Sequence, residues 1–155
     1  MKVFNLYGDD WEREQEREGY RWRGRRVGPV IGASGLGASL YELAPGQRSF
    51  PYHYEYGNEE WLLVVEGQPT LRTPEGEQEL VAGDVVCFPE GPGGAHQVRN
   101  ATHEPVRVLM FSTKSRPGVA VYPDSDKIGV WPGDRRDNIL VRRESVVDYW
   151  DGERG

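Results

Sequence analysis

Between residues 49 and 112, apolar and polar side chains alternate in short runs bounded by Gly, Pro, Asn and Asp. The two-residue period predicts strands at 49–56, 60–66, 69–73, 77–81, 84–88, 96–99 and 105–112, with a turn at Pro74, Glu75 and Gly76. One run is apolar on both faces: Glu60, Leu62 and Val64 share one side, and Trp61, Leu63 and Val65 the other. Such a strand needs cover on both sides, from an added N-terminal strand or from a second subunit, and a homodimer is expected. Upstream, Tyr20 and Trp22 alternate with Arg21 and Arg23, a Gly-rich strand region follows, and Pro45-Gly46 closes it with turn chemistry.

The flanks read differently. Residues 9–18 are almost wholly charged and predict a short capped helix with no apolar face to hold it down. Residues 117–138 are rich in Pro, Gly and Asp and read as a long loop, either a lid offering Tyr122, Asp124, Asp126, Lys127 and Trp131 to a ligand or an arm around a partner. A strand at 139–141 and a terminal helix at 144–150, packing Val146, Val147 and Trp150, are expected to follow. The predicted organisation is therefore an all-β barrel at 20–116, a charged extension at 1–19, and a 117–155 segment packed on the barrel.

Composition narrows the function classes. The 155 residues suit one domain able to bury a core without disulfides, and the single cysteine, Cys87, requires no oxidising compartment. Cys87 is expected as a small core residue in the strand at 84–88. A net charge of −6 disfavours nucleic acid, and the Arg21, Arg23, Arg25, Arg26 cluster reads as a solvated strand face. No apolar run approaches the ~20 residues of a membrane helix, and residues 1–10 lack a signal-like core, so a cytoplasmic protein is expected.

The candidate chemistry lies in His53, Glu55, Glu60 and His96. His53 and Glu55 are two apart and project from one face of a strand, while the turn-like Tyr56, Gly57, Asn58 folds Glu60 back beside them. An inward-facing carboxylate such as Glu60 requires a cation or a donor, and all four side chains are able to hold one divalent ion together, although His53 and His96 taken alone also suit hydrogen-bonded barrel histidines. Glu55 has two readings: a fourth ligand, or a free acid/base beside the metal. Cys87 has no base near it in sequence, and His103 falls in an exposed turn.

These residues are arranged as Gly46, a six-residue spacer, His53-Tyr54-Glu55, four residues, Glu60, six residues, Gly67, and then Gly83, Pro89-Glu90-Gly91, His96 and Asn100. The pattern resembles the two motifs of the cupin superfamily. It departs in a longer gap between Gly91 and His96 and in Glu55, which stands where the family has a second histidine. The resemblance implies a double-stranded jelly-roll β-barrel with a metal at its centre. It also implies a range of activities: dioxygenation, decarboxylation, sugar isomerisation or epimerisation, and non-catalytic ligand binding.

A metal-dependent protein acting on a small polar metabolite is the leading expectation, with a ligand-binding or sensor module as the alternative and a barrel without metal as a third. Two imidazoles and two carboxylates would make a formally neutral site with a divalent ion, a weaker Lewis acid than a three-histidine site. Iron, manganese and zinc all suit such a donor set. Leu62, Val64, Phe111 and members of the 117–138 segment are the expected barrel-lining residues.

Overall fold

A computed structural model describes residues 1–154 and places two antiparallel layers face to face. The first layer is a six-stranded sheet. It contains β1 (Arg13–Arg17), β2 (Tyr20–Arg26), β3 (Leu36–Leu43), β5 (Glu60–Glu66), β8 (Val85–Phe88) and β10 (Val106–Thr113), in the order β1-β2-β3-β10-β5-β8. The second layer joins two smaller sheets. One is β7 (Gly76–Glu79), β6 (Thr70–Thr73) and β9 (Gln97–Arg99); the other is β13 (Ile139–Arg142), β12 (Lys127–Trp131), β11 (Gly118–Tyr122) and β4 (Tyr54–Tyr56). This is the jelly-roll arrangement expected from the sequence.

Period two decides what lies between the layers. From the first layer, Tyr41, Leu43, Leu62, Val64, Val106, Val108 and Met110 meet Leu71, Leu80 and Val98 of the second, and Phe88 closes the cluster. The opposite faces of β3, β5 and β10 carry Leu40, Val65, Leu63 and Leu109. Part of that outer surface is covered by Phe4, Leu6 and Trp11 of the N-terminal segment. Arg107 ties this segment down, donating to the Gly8 carbonyl at 3.1 Å and to Asp9 at 2.8 Å.

Several expectations are corrected. Residues 13–17 form a strand, not a helix: they turn back at Gly19, which has φ of 77°, and pair with β2 from Arg13↔Gly24 to Arg17↔Tyr20. Ladder hydrogen bonds hold such a segment without an apolar face, and Glu12 adds ion pairs to Arg25 and Arg26. The Gly-rich region after β2 contains one helical turn, α1 (Val27–Ile31), ended by Gly32 in the left-handed conformation.

The 117–138 segment is not a long loop. It holds the β11–β12 hairpin, which pairs with β4 from Val119↔Tyr56 to Val121↔Tyr54. β13 appears as expected, but among the described residues no terminal helix follows: Arg143–Ser145 is a single 3-10 turn, and Val146, Val147 and Trp150 are 81%, 67% and 71% exposed. Cys87 is exposed on the outer face of β8, because the same alternation turns Val86 and Phe88 inward. Phe111 likewise faces out, its ring 5.8 Å from that of Trp61, and leaves the lining role to Met110 and Ser112. Tyr52 and Tyr54, which flank His53 in sequence, are buried in a separate cluster with Ala95 and Val121.

Candidate metal centre

The two histidines are brought together by backbone pairing. The chain from Gly46 to His53 runs antiparallel to that from His96 to Asn100. Gly46 N–H donates to the Asn100 carbonyl (2.9 Å), Ser49 to Val98 (2.9 Å) and His53 to His96 (3.2 Å), and His96 N–H returns a bond to His53 at 2.8 Å. His53 and His96 thus exchange both backbone hydrogen bonds, which puts their side chains on one face. Their ring centroids lie 4.8 Å apart. The same bridge stitches the two small sheets of the second layer together. Asn100 ends the ladder structurally, its buried amide donating to the carbonyls of Leu43 and Glu104.

Both rings are oriented by backbone carbonyls. His53 Nδ1 lies 2.9 Å from the Pro51 carbonyl, and His96 Nδ1 lies 2.9 Å from that of Gly94. A carbonyl only accepts, so each Nδ1 carries the proton and each Nε2 presents a bare lone pair. Gly94 is obligatory here: a Cβ would stand 1.7 Å from the Pro89 carbonyl oxygen. His96 is held flat against Phe88, with ring centroids 3.7 Å apart and planes 6° apart.

Glu60 comes from the facing layer, at the first position of β5, in line with the inward-pointing Leu62 and Val64. Its Oε2 lies 3.7 Å from His53 Nε2 and 3.6 Å from His96 Nε2, and the three candidate ligand atoms all fall within 4.8 Å of one another. Glu60 Oε2 and His96 Nε2 are buried with no hydrogen-bond partner. Three acceptors converge with no donor among them, an arrangement that only a proton or a cation between them relieves. Ligand bonds of about 2.0–2.2 Å to one ion would span the 3.7 and 3.6 Å between Glu60 and the two imidazoles.

Electrostatics tell the same story. Burial, reinforced by the charge of Glu55, raises the Glu60 pKa to about 8. Burial, with His53 adding to it, lowers that of His96 to about 3, and desolvation also lowers that of His53. Near neutral pH both imidazoles are therefore uncharged, the form in which they ligate. The donor set fits a divalent metal.

Glu55 lines the same cavity from β4, but its Oε2 accepts a 2.8 Å hydrogen bond from the Asn58 side-chain amide. Asn58 is itself fixed, because its Oδ1 accepts from the Ser115 backbone N–H at 2.8 Å. Of the four predicted residues, His53, Glu60 and His96 form the compact cluster, and Glu55 stands beside it on the wall. The cavity measures about 400 Å³. Gly37, Ser39 and Tyr41 of β3, Met110 and Ser112 of β10, and Ala120, Tyr122 and Trp131 of the hairpin complete it with Phe50 and Pro51.

Tyr122 and Trp131 were anticipated in the sequence, whereas Leu62 and Val64 sit deeper, in the sealed core. Ser112 and Met110 were missed, although continuing the period from Val106 and Val108 points to them. Asn58 carried no signal beyond its turn character. Apart from the histidines, no basic residue lines the cavity.

A model of the cupin domain matches residues 39–112. Among solved structures, the chain is similar to a sugar phosphate isomerase of Silicibacter pomeroyi. The two are 30% identical over 86% of this chain and 83% of that one, with a TM-score of 0.75. A protein of Acidithiobacillus ferrooxidans, provisionally assigned as a sugar phosphate isomerase, is 25% identical over 84% and 81% with a TM-score of 0.76. The polyketide cyclase RemF of Streptomyces resistomycificus, at 24% identity and a TM-score of 0.60, shares the fold. A search of curated proteins finds no match.

Proposed function

The chain belongs to the cupin superfamily, and on that premise we propose that it is a divalent-metal-dependent enzyme of the isomerase type acting on a small polyhydroxylated carbonyl compound. His53, Glu60 and His96 hold the ion, and Glu55 is the proton carrier. The carrying observation is the division between the two carboxylates. The Glu60 oxygen is orphaned among histidine lone pairs, while the Glu55 carboxylate is anchored by Asn58 on the cavity wall.

A metal bound by those three residues would act as a Lewis acid toward a substrate oxygen. The remaining work falls to the chain. The Glu55 carboxylate removes a proton from the hydroxyl-bearing carbon beside a carbonyl and returns it to the former carbonyl carbon, while the hydroxyl proton passes to the former carbonyl oxygen. Asn58 keeps that carboxylate aimed into the cavity. Tyr122, whose phenol is held protonated by burial and by the nearby carboxylates, donates a hydrogen bond to a substrate oxygen. A cavity of about 400 Å³ suits a ligand of a few carbons. The names of the two relatives that overlap most of this chain support the carbonyl-shifting class. With no lysine or arginine on the wall, the hydroxylated end of the substrate enters and any anionic end stays at the rim, where the Lys114 stem lies over Gly37.

Two measurements test the reading: metal content of protein purified without added metal, and deuterium uptake from D2O into aldose and ketose substrates with and without a terminal phosphate. Uptake that needs the metal and falls at least 100-fold in Glu55→Gln, with metal content unchanged, is the expected result. Metal loss in Glu55→Gln would make this residue a ligand instead, and metal-loaded protein that binds sugars without exchange would point to a binding module.

A further inference from the structure

Residues 113–116 cross the open end of the barrel, leaving β10 of the first layer just after the cavity-lining Ser112 and entering β11 of the second. The crossing is held in place by the β4–β5 turn. Thr113 N–H donates to the Glu59 carbonyl at 3.1 Å, and Ser115 N–H donates at 2.8 Å to Asn58, the residue that also anchors Glu55. The four residues, Thr113, Lys114, Ser115 and Arg116, carry two cations and no carboxylate.

Lys114 continues the inward phase of Met110 and Ser112, and its stem crosses the cavity-lining Gly37, with Cε 3.7 Å from where a Cβ of that residue would stand. Arg116 lies on the other wall. Its Nη1 stands 3.1 Å from where a Cβ of Gly133 would be, and Gly133, with φ of 116°, comes two residues after the cavity-lining Trp131. The two charges therefore flank the mouth, one on the β3 wall and one on the hairpin wall. Both side chains are exposed, and among the described residues neither forms an ion pair. The carboxylates next to these contacts are engaged elsewhere: Glu59 accepts from Trp61 Nε1 at 2.7 Å, and Asp134 is held by Arg136 at 2.6 Å.

We propose that Lys114 and Arg116 are the recognition site for a phosphate monoester at the far end of the substrate, an assignment that rests on the isomerase reading and names its substrate class. A divalent ion with Glu55, Glu60 and two imidazoles is formally neutral, and the chain carries a net charge of −6, so the pull on an anion has to come from the rim. The spacing suits this. Ser112 pairs with Glu60 and marks the metal end, whereas Lys114 begins two residues further out, on the order of 7 Å away. A chain of a few carbons spans that gap, leaving its carbonyl end beside Glu55 and its phosphate at the mouth. A phosphate dianion offers oxygens to both cations at once, and a guanidinium can grip two of them in parallel. A carboxylate brings one charge to two cations and answers only half of the site.

The test is calorimetry on the metal-loaded full chain with aldoses of four, five and six carbons, each in free, terminally phosphorylated and terminally carboxylated form. At least one phosphorylated aldose should bind roughly 30-fold or more tighter than its free form, and in the Lys114→Met/Arg116→Met variant that ratio should collapse to about 3-fold or less. The charge-keeping variant Lys114→Arg/Arg116→Lys should retain most of it. A panel in which no phosphorylated member gains overturns the proposal, as does a ratio that survives in the methionine variant, which would put the phosphate on the metal itself. A carboxylated aldose that gains as much as the phosphorylated one overturns the phosphate assignment. Binding and turnover separate this proposal from the isomerase reading. Deuterium exchange into free aldoses with a ratio near one sinks the rim site alone, and a ratio that collapses as expected in a protein without exchange supports the rim site and sinks the isomerase reading alone.

Discussion

The two ends of the barrel interior are lined by the same strands and made of opposite materials. Along β3 the inward positions run Leu43, Tyr41, Ser39, Gly37; along β10 they run Val106, Val108, Met110, Ser112; along β5 they run Val64, Leu62, Glu60. Each strand starts large and apolar and ends small or polar. The closed end is dry, with Leu43, Val106 and Val108 fully buried. The open end holds the cavity and the His53–Glu60–His96 cluster. Burial at the closed end stabilises the fold, and at the open end it opposes the fold by trapping a carboxylate without a partner. The comparison teaches that this wall of the site is obtained by changing only the last one or two inward residues of each strand.

The largest effect should come from the closed end. Leu62→Ala, two residues from Glu60 on the same face, removes a fully buried side chain and should destabilise by about 2–5 kcal/mol in urea unfolding. Metal stoichiometry below the transition should stay that of the wild type. If the metal is lost together with the stability, the two ends are one cooperative unit and the comparison fails.

At the open end the sign reverses. In the metal-free protein Glu60 has a folded pKa near 8, above its ordinary 4.5, so between these values the folded state holds a proton that the unfolded state has released. Stability falls as pH rises through that window. Glu60→Gln should therefore stabilise the metal-free protein at pH 8, by about 1–3 kcal/mol, the usual scale for an uncompensated buried polar group, while abolishing metal retention. A destabilised Glu60→Gln would show that the carboxylate has a partner in solution.

His96 acts in the opposite direction. Its pKa is lowered from 6.5 to about 3, so the unfolded state binds the extra proton and stability rises with pH across that interval. The two slopes oppose each other between about pH 4.5 and 6.5. The metal-free wild type should gain stability steeply from pH 3 to 4.5, gain less steeply to 6.5 because Glu60 offsets one histidine while the lowered His53 still contributes, and lose it toward 8, as read from thermal midpoints. Metal should flatten the alkaline limb, since binding displaces the Glu60 proton. A monotonic rise from pH 3 to 8 would count against the burial of Glu60.

Much of this contrast was legible in the sequence, for a definite reason. Gly46 to His53 runs antiparallel to the shorter His96 to Asn100, and the two are joined at Gly46, Ser49 and His53, so the two motifs that resemble the family's carried the convergence of the imidazoles. Glu60 was legible because a carboxylate in phase with Leu62 and Val64 must face inward. The far wall was not. Gly129 is small because Trp131 lies back over it, where a Cβ would meet the ring at 2.3 Å, and the Pro, Gly and Asp residues set among such short apolar runs read as a loop. β1 was hidden in the same way: a charged edge strand held by ladder bonds has no hydrophobic period to detect. The Asn58 anchor on Glu55 depends on side-chain placement across a turn and on Ser115, a pairing that no local pattern encodes.

The smallest effect sharpens the comparison most, because it tests position without disturbing the fold. Ser112 is the last inward residue of β10, three positions beyond Leu109 and in phase with Met110, and it pairs across with Gly37 and Glu60. Its hydroxyl faces the cavity at the open end, so Ser112→Val extends the apolar lining of the closed end by one residue. Valine suits a strand, and the change should alter stability by less than about 0.5 kcal/mol. A hydroxylated ligand would lose one hydrogen bond there, worth about 0.5–1.5 kcal/mol, or roughly a 2- to 12-fold weaker affinity by calorimetry. The reverse change at Val108, to serine, adds a hydroxyl where no ligand reaches and should leave affinity untouched while lowering stability. If Ser112→Val leaves sugar binding unchanged, the open end does not read its ligand through β10, and recognition rests on the hairpin residues Tyr122 and Trp131.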